Sequence, residues 1–256
     1  MIVQRSVLVD RVGEVLVITL NRPHVRNAID HSVAEGVAEA LDALDGDPAL
    51  KVGVLTGAGG SFCVGRDLRA FLRGDVPSVP GRGLAGIVRR GARKPTIAAV
   101  EGFAVAGGFE IALACDLIVA ARGAKLGIPE VKRSLVPSGG ALLRLPQRLP
   151  YGIVMELALT GDLIDAERCF EHGVVNRLVE PGTALEASLE LAGRIATNGP
   201  LALVAAKEIV QRQRDWSEEE FWDRQHEIVA PVFSSEDARE GAAAFLEKRP
   251  PAWHGR

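Results

Sequence analysis

Cysteine, metal-binding motifs and long apolar runs are scarce in this 256-residue chain, and each scarcity excludes a class of protein. The three cysteines, Cys63, Cys115 and Cys169, are an odd number without CxxC spacing, which predicts reduced, buried thiols and a cytoplasmic protein. Five histidines are scattered without HxH or HExxH spacing, so no metal site is expected. No run approaches about 18 apolar residues, so no membrane span is expected either.

An excess of one charge sign is also absent. The 30 basic and 33 acidic side chains leave a net charge of −3, which creates no field that would gather nucleic acid or a membrane surface. Residues 1–20 lack the basic region, uninterrupted apolar run and cleavage site of a secretory signal. The hydrophobic content of 47% is enough for a large core, so we expect one large domain, alone or with a helical appendage.

Common nucleotide and hydrolase motifs are missing or incomplete. The chain has neither GxxxxGK[ST] nor GxSxG. GAGGSF, residues 57–62, follows a strand as a dinucleotide motif does, but Phe62 replaces the third glycine and the next helix starts late. We therefore expect no nicotinamide and no phosphate-transfer chemistry.

What the chain does contain is an alternation of strands and helices that ends in a helical region. Strands are predicted at 6–10, 14–20, 52–57, 96–102, 117–122 and 174–180. Helices are predicted over about 15 residues after the N-cap Asp30, after the turn at 105–108, and at 139–148, 151–159, 165–172, 183–198, 200–213, 217–230 and 235–247. The pattern predicts an α/β core with crossover connections over residues 1–198 and a helical region over 199–256.

Two glycine-bearing turns carry the first chemical signal. FCVGRD at 62–67 and VAGGFE at 105–110 each lead from an apolar stretch into a helix-like segment. The first N–H groups of a helix have no intrahelical partner, so each turn can present free donors. Two such donors aimed at one point would form an oxyanion hole.

Two glutamates carry the second signal. Glu110 lies in an otherwise apolar segment, and Glu130 follows Pro129, which fixes the local backbone. A helix, a strand and a turn separate them, a path that can return the chain to its starting point and pair the carboxyls for adding or removing water. Spacing alone leaves a solvent-exposed or salt-bridge role open for each glutamate.

Several motifs, in order along the chain, resemble the crotonase, or enoyl-CoA hydratase, superfamily. They are NRPHVRNAI at 21–29, VGVLTGAGGSFCVGRDL at 52–68, KPTIAAVEGFAVAGGFEIALACDLIVA at 94–120, LGIPEVK at 126–132, LTGDLIDAERCFEHGVVNRLVE at 159–180 and SEDAREGAAAFLEKRPPAWHGR at 235–256. These motifs are most similar to those of short-chain enoyl-CoA hydratases and carnitinyl-CoA dehydratases.

The resemblance implies an α/β fold, a crotonase-like spiral of ββα repeats in two roughly perpendicular sheets. It also implies a C-terminal helical trimerisation region and assembly into a homotrimer or a dimer of trimers. The substrate would be an acyl-CoA thioester whose carbonyl oxygen lies between two backbone N–H groups, here those of Arg66 and Gly107. An arginine at 66 departs from the small residue more usual there, and its side chain would alter the pocket or reach a CoA phosphate.

Both glutamates that hydratases of this family use are present, as Glu110 and Glu130. The pair favours hydration and dehydration over isomerisation, dehalogenation or thioester hydrolysis. The implied enzyme is a hydro-lyase that adds water across the 2,3 double bond of an enoyl-CoA, with Glu130 as proton donor to the α-carbon and no metal or redox cofactor. A carnitinyl-CoA dehydratase and a non-catalytic acyl-CoA-binding member remain as alternatives.

The resemblance also implies contacts to the two ends of the substrate. CoA contacts are expected from Arg22, Val25, Arg26 and Arg69. The loop 73–86 and the C-terminal helices would shape the acyl pocket, with Phe71, Leu84 and Phe245 as candidate lining residues. Ordinary surface positions for the arginines and core packing for the apolar residues remain open.

Overall fold

A computed structural model describes residues 5–256 of the chain. Residues 1–4 lie outside the described part. They belong to the predicted core and to the segment that lacks the features of a secretory signal. The α/β class predicted from the sequence agrees with the elements found there. None of the helices in the described part is long and apolar enough to cross a membrane.

The strands and helices have the following bounds. The strands are β1 (Val7–Val12), β2 (Val15–Leu20), β3 (Val52–Gly57), β4 (Ser78–Val79), β5 (Gly83–Leu84), β6 (Thr96–Val100), β7 (Phe103–Val105), β8 (Leu117–Ala121), β9 (Lys125–Gly127), β10 (Leu163–Asp165) and β11 (Arg177–Val179). The α-helices are α1 (His31–Gly46), α2 (Leu68–Leu72), α3 (Gly107–Ala114), α4 (Ala141–Arg144), α5 (Tyr151–Thr160), α6 (Ala166–Glu171), α7 (Ala184–Ala196), α8 (Pro200–Arg212), α9 (Glu218–Phe233) and α10 (Glu236–Glu247).

The main sheet has six strands in the order β1-β2-β3-β6-β8-β11. β1 and β2 form an antiparallel hairpin, and all other neighbours pair in parallel, as crossover connections require. Both faces are covered, because α7 packs on one face and the larger core, which includes α1 and α3, lies on the other. This double burial explains why β6, TIAAV, is apolar after Thr96 and buried at every position.

A second sheet of three short strands, β10-β9-β7, lies beside the main sheet. Each strand has three residues, and the sequence patterns did not predict them. β7 and β9 pair in parallel, which places the turn after β7 against the end of β9, where the Ala106 N–H donates to the Gly127 carbonyl at 2.8 Å. This sheet therefore fixes the start of α3.

The structure confirms one local prediction and refines two others. α1 begins after Asp30 as predicted, and the Asp30 carboxylate accepts a hydrogen bond from Val33 N at 3.0 Å. The helix predicted at 139–148 is instead the single turn α4 followed by a 3-10 turn over Leu145–Gln147, because Pro146 has no N–H to continue an α-helix. The predicted loop 73–86 contains the small hairpin of β4 and β5.

The helices α8, α9 and α10 follow the main sheet in sequence, from Pro200 onward. α8 is tied to the core by Lys207, whose Nζ lies 2.6 Å from Asp116 Oδ2 and donates to the Lys94 carbonyl at 2.8 Å. α9 begins with a capping box in which Ser217 and Glu220 exchange hydrogen bonds. A division into a core and a separate helical unit at residue 198 remains a prediction.

Candidate active site

The two glycine-bearing turns are brought side by side by backbone pairing. Cys63 N donates to the Phe103 carbonyl at 2.8 Å, and Val105 N donates to the Cys63 carbonyl at 3.0 Å. The approach is close, since a methyl group added at Gly65 would lie only 3.0 Å from Gly107 N. The ends of the two segments therefore meet at one point.

Two backbone N–H groups at this point are free. The carbonyl of Gly65 and the N–H of Asp67 both pair with Ile29, so the Arg66 N–H between them is directed away from that bridge. Gly107 is the first residue of α3, where a helical N–H has no partner in its own helix. Neither N–H has a hydrogen-bond acceptor within residues 5–256. Two unpaired donors on adjacent segments are the groups that an oxyanion hole requires, and this role for Arg66 N and Gly107 N remains a prediction.

Ala106, directly before Gly107, has a strained backbone. Its φ of 52° and ψ of −130° are values that residues with a Cβ rarely adopt. Such a conformation typically costs about 1–3 kcal/mol and persists only where the surroundings impose it. Here the hydrogen bond to Gly127 and the packing of Gly65 against the Ala106 methyl group hold the turn, which sets the direction of the Gly107 N–H.

Glu110 is buried on the first turn of α3, with 2% of its surface exposed. Its Oε1 accepts hydrogen bonds from Gly139 N at 2.6 Å and Ala141 N at 3.2 Å, the first residues around α4. Burial raises the pKa of the carboxyl above its ordinary value, although these N–H groups and the Arg144 charge oppose the rise. Glu110 is thus a fixed carboxyl whose Oε2 has no hydrogen-bond donor within the described part of the chain.

Glu130 is half-buried in the 3-10 turn that Pro129 begins. Burial raises the pKa of this carboxyl to about 7, and the charge of Glu110 adds to the rise. Its Oε2 is buried without a hydrogen-bond partner in the described part of the chain. A carboxyl whose pKa is raised towards neutral pH, and which interacts with a second carboxyl, is suited to give and take protons.

A cavity of about 1010 Å³ contains all four groups. Arg66, Gly107, Glu110 and Glu130 line it together. Apolar residues form much of the wall, including Phe71, Val76, Pro77, Leu84, Val88, Leu135 and Val136. This volume is at the upper end of the range for small-molecule sites, which suits a ligand with a long flexible arm.

Comparison with known proteins assigns the family. A sequence model of the family described as enoyl-CoA hydratase/isomerase matches residues 10–256. The chain belongs to this family. It is 41% identical to the enoyl-CoA hydratase EchA19 of Mycobacterium tuberculosis over 97% of this chain and 96% of that protein. It is 42% identical to the carnitinyl-CoA dehydratase of Salmonella arizonae over 98% of each chain.

Superposition on the solved structure of a related protein supports the fold independently of the sequence match. The enoyl-CoA hydratase EchA1 of Mycobacterium marinum superposes with a TM-score of 0.97 at 55% identity, covering 99% of this chain and 100% of that one. The crotonase fold expected from the motifs is therefore confirmed.

The predicted CoA contacts divide into two groups. Val25 and Arg69 line the cavity. Arg22 and Arg26 are not among its lining residues: the Arg22 guanidinium is bound to Asp67, Asp30 and the Ala28 carbonyl, and Arg26 lies over the Phe103 ring at 5.5 Å. A CoA contact from either arginine remains a prediction.

The acyl-pocket candidates also divide. Phe71 and Leu84 line the cavity, whereas Phe245 on α10 is 83% exposed and lies outside it. Sequence reasoning missed the groups that hold Glu110, namely Gly139 N and Ala141 N. The only available signal was the SGGAL stretch after Pro137, where a chain turn precedes a helix. His24, Arg89 and Arg133 are further lining residues that the sequence did not indicate.

The three cysteine thiols do not line this cavity. Cys63, Cys115 and Cys169 are free and buried as predicted, and burial raises the pKa of each thiol to about 12. Residues 5–256 contain no group of three metal-ligating side chains.

Proposed function

We propose that this protein is an enoyl-CoA hydratase, a hydro-lyase that reversibly adds water across the 2,3 double bond of an enoyl-CoA thioester. The observation that carries the proposal is the pair of carboxyls, buried Glu110 and half-buried Glu130, in one cavity with two free N–H donors. The names of the relatives support the same reaction.

The thioester oxygen binds between Arg66 N and Gly107 N. When water attacks the β-carbon, electrons shift onto this oxygen and an enolate forms. The two N–H groups stabilise the charge more strongly in that state than in the substrate, and one such donor is typically worth about 3–4 kcal/mol. The Ala106 turn holds one donor in place before the substrate arrives, so little reorganisation is needed.

The two carboxyls divide the proton transfers. Glu110, fixed by Gly139 N and Ala141 N, takes a proton from the water as its oxygen bonds to the β-carbon. Glu130, whose pKa of about 7 keeps much of it protonated at neutral pH, gives its proton to the α-carbon. The proton on Glu110 then returns to Glu130, which balances the reaction, and no metal or redox cofactor is required.

Turnover of crotonyl-CoA, followed by loss of the enoyl absorbance, tests this function. We expect hydration by the wild type and a loss of at least about 10³-fold in kcat for Glu110→Gln and Glu130→Gln, each of which keeps the size of the side chain. No hydration of short or medium enoyl-CoAs, together with variants that behave like the wild type, would exclude a hydratase. Tight thioester binding without turnover would instead support a non-catalytic acyl-CoA-binding protein.

A carnitinyl-CoA dehydratase is the second candidate, favoured by the identity of 42% to proteins of that name. The same two carboxyls would then work in the reverse direction. Selective turnover of carnitinyl-CoA over 3-hydroxybutyryl-CoA would identify this activity.

We further propose a homotrimer or dimer of trimers in the cytoplasm, serving fatty-acid or related acyl-CoA metabolism. Large apolar side chains on the last three helices support assembly, since they are well exposed in the single chain: Val210, Trp222, Phe233, Phe245 and Leu246. The three free cysteines support a reducing compartment. Light scattering measures the oligomeric state directly.

A further inference from the structure

The Arg66 side chain is a cationic group in the cavity that the hydration mechanism does not use. Its backbone N–H serves the proposed oxyanion hole, but its guanidinium also lines the cavity and stacks on the Phe71 ring, with Cζ 4.4 Å from the ring centre. Phe71 belongs to the apolar wall. The positive charge of Arg66 beside an apolar wall therefore raises the question of which part of a ligand it binds.

The guanidinium is only partly satisfied. Nη2 donates to the Asp75 carbonyl, whereas Nε is buried without a partner, and Nη1 has no acceptor within residues 5–256. No carboxylate in the described part of the chain lies within 4.0 Å of it, unlike Arg22, which lies outside the cavity lining and pairs with Asp30 and Asp67. A half-buried guanidinium with unused donors is best completed by an anionic oxygen.

The position of Arg66 limits which part of the substrate supplies that oxygen. If Arg66 N holds the thioester oxygen, the same residue's side chain reaches only atoms near the thioester. The pantetheine arm of CoA is much longer than an arginine side chain, so the CoA phosphates are out of reach. This leaves the acyl group, which must itself lie along the apolar wall that includes Phe71.

The other charged lining residues are equal in number, with Arg69, Arg89 and Arg133 against Asp67, Glu110 and Glu130, so Arg66 is the cation in excess. Asp67 is already paired with Arg22, and Glu130 is partly neutral at pH 7 because burial raises its pKa. Among the lining residues of the described part, Phe71 is the only phenyl, indole or phenol ring, and Arg66 already lies over it, so this face of the ring is not available to a quaternary ammonium group.

We infer that Arg66 selects short acyl groups that carry a carboxylate a few atoms beyond the thioester, and that it disfavours acyl groups with a cationic head. This inference deepens the proposed function and rests on it, because it places the thioester oxygen at Arg66 N. It also makes a carnitinyl group, with its trimethylammonium head, a poor substrate.

Binding of three saturated thioesters tests the inference without requiring turnover. Each is a butanoyl-CoA that carries at its fourth carbon a carboxylate, an isopropyl or a trimethylammonium group, heads of similar size but different charge. Dissociation constants are measured by calorimetry for the wild type and for Arg66→Met, Arg66→Lys and Arg69→Met. Circular dichroism checks that each variant is folded.

For the wild type we expect the carboxylate to bind about tenfold tighter than the isopropyl form, or about 1.4 kcal/mol, and the ammonium form to bind weakest. Arg66→Met should reduce the carboxylate preference to within about twofold, and Arg66→Lys should keep part of it. Arg69→Met, at a predicted CoA contact, should weaken all three thioesters equally. An unchanged preference in Arg66→Met, or a wild type that binds the isopropyl or ammonium form best, would overturn the inference.

Hydration of the corresponding enoyl-CoAs separates this inference from the proposed function. If no enoyl-CoA is hydrated but the binding order holds, the proposed function fails and the selectivity of Arg66 stands. If the neutral enoyl-CoA is hydrated and the carboxylate form is neither bound nor turned over better, the selectivity fails and the proposed function stands.

Discussion

Replacing Gly139 by alanine should displace Glu110 without altering the chemistry of any side chain in the cavity. A methyl group at Gly139 would lie 2.5 Å from Glu110 Oε2 and 2.8 Å from its Cδ. Carbon atoms in ordinary contact are about 3.5 Å or more apart, so the carboxyl must retreat by on the order of 1 Å. The backbone of Gly139 does not have a positive φ, so alanine adds the clash and no strain of its own.

The expected loss follows from that displacement. Moving a reacting group by about 1 Å typically costs about 10²-fold in rate, and the hydrogen bond from Gly139 N, now 2.6 Å, would be lengthened or lost. We therefore expect kcat on crotonyl-CoA to fall by about 10²-fold, or about 2.7 kcal/mol. KM should change less than kcat, because Gly139 itself does not line the cavity and the displaced carboxyl acts on the reacting water rather than on the CoA moiety. Crowding of the Leu84 side chain adds about 1–3 kcal/mol of destabilisation.

Steady-state kinetics and thermal unfolding of Gly139→Ala, with Gly193→Ala as control, test this reasoning. Gly193 lies within α7 with open space around it, so its methyl group should leave kcat unchanged and stabilise the helix by about 0.5–1 kcal/mol. A folded Gly139→Ala variant with kcat within threefold of the wild type would show that the position of Glu110 is unimportant for turnover.

Three further predictions concern charge and anchoring. The kcat/KM of the wild type should fall above about pH 7, because Glu130 must hold a proton and burial raises its pKa to about 7; a flat profile to pH 9 would refute its role as acid. The raised pKa means that the folded state favours the neutral form of Glu130 over the charged form. The stabilisation of the fold by neutral Glu130 is therefore fully present below pH 4.5 and is lost as the pH rises through about 7. Glu130→Gln should therefore unfold at a higher temperature than the wild type at pH 8 and at a similar one at pH 4, whereas a lower Tm at pH 8 would contradict this. Lys207→Met should reduce the free energy of unfolding in urea by about 2 kcal/mol, because the partly buried Asp116 carboxylate loses its opposite charge and keeps only the hydrogen bonds from Thr96 and Gln211. The exposed pair of Lys132 and Asp162 is the control: Lys132→Met should cost under about 1 kcal/mol, and equal losses would contradict the role of burial.

The sequence was sufficient for elements whose pattern is strong over many residues. α1 has a capping aspartate and apolar residues at helical spacing, and β3 and β6 are largely apolar runs rich in β-branched residues, so the predicted bounds of all three are close to those observed. β7, β9 and β10 were not predicted, because a strand of three residues is too short to show an alternating pattern of apolar and polar residues. Their pairing depends on tertiary contacts.

The site shows the same division between local and tertiary information. The motifs indicated Glu110, Glu130, Arg66 and Gly107, and all four line one cavity. The hydrogen bonds that fix these groups were not predictable from the sequence. Glu110, for example, accepts them from Gly139 and Ala141, which lie 29 and 31 positions later in the chain. The stacking of Arg66 on Phe71 likewise depends on the side-chain conformation, which the sequence does not specify.

Hydration of crotonyl-CoA in D₂O, followed by NMR, tests the central claim most directly. The claim is that Glu110 and Glu130 add water while the N–H groups of Arg66 and Gly107 hold the enolate oxygen. It predicts 3-hydroxybutyryl-CoA with a single deuteron at the α-carbon, formed at least about 10³-fold more slowly by Glu130→Gln. A 3-butenoyl product, formed by loss of a γ-proton and addition of deuterium at the α-carbon, or unchanged crotonyl-CoA, would contradict it.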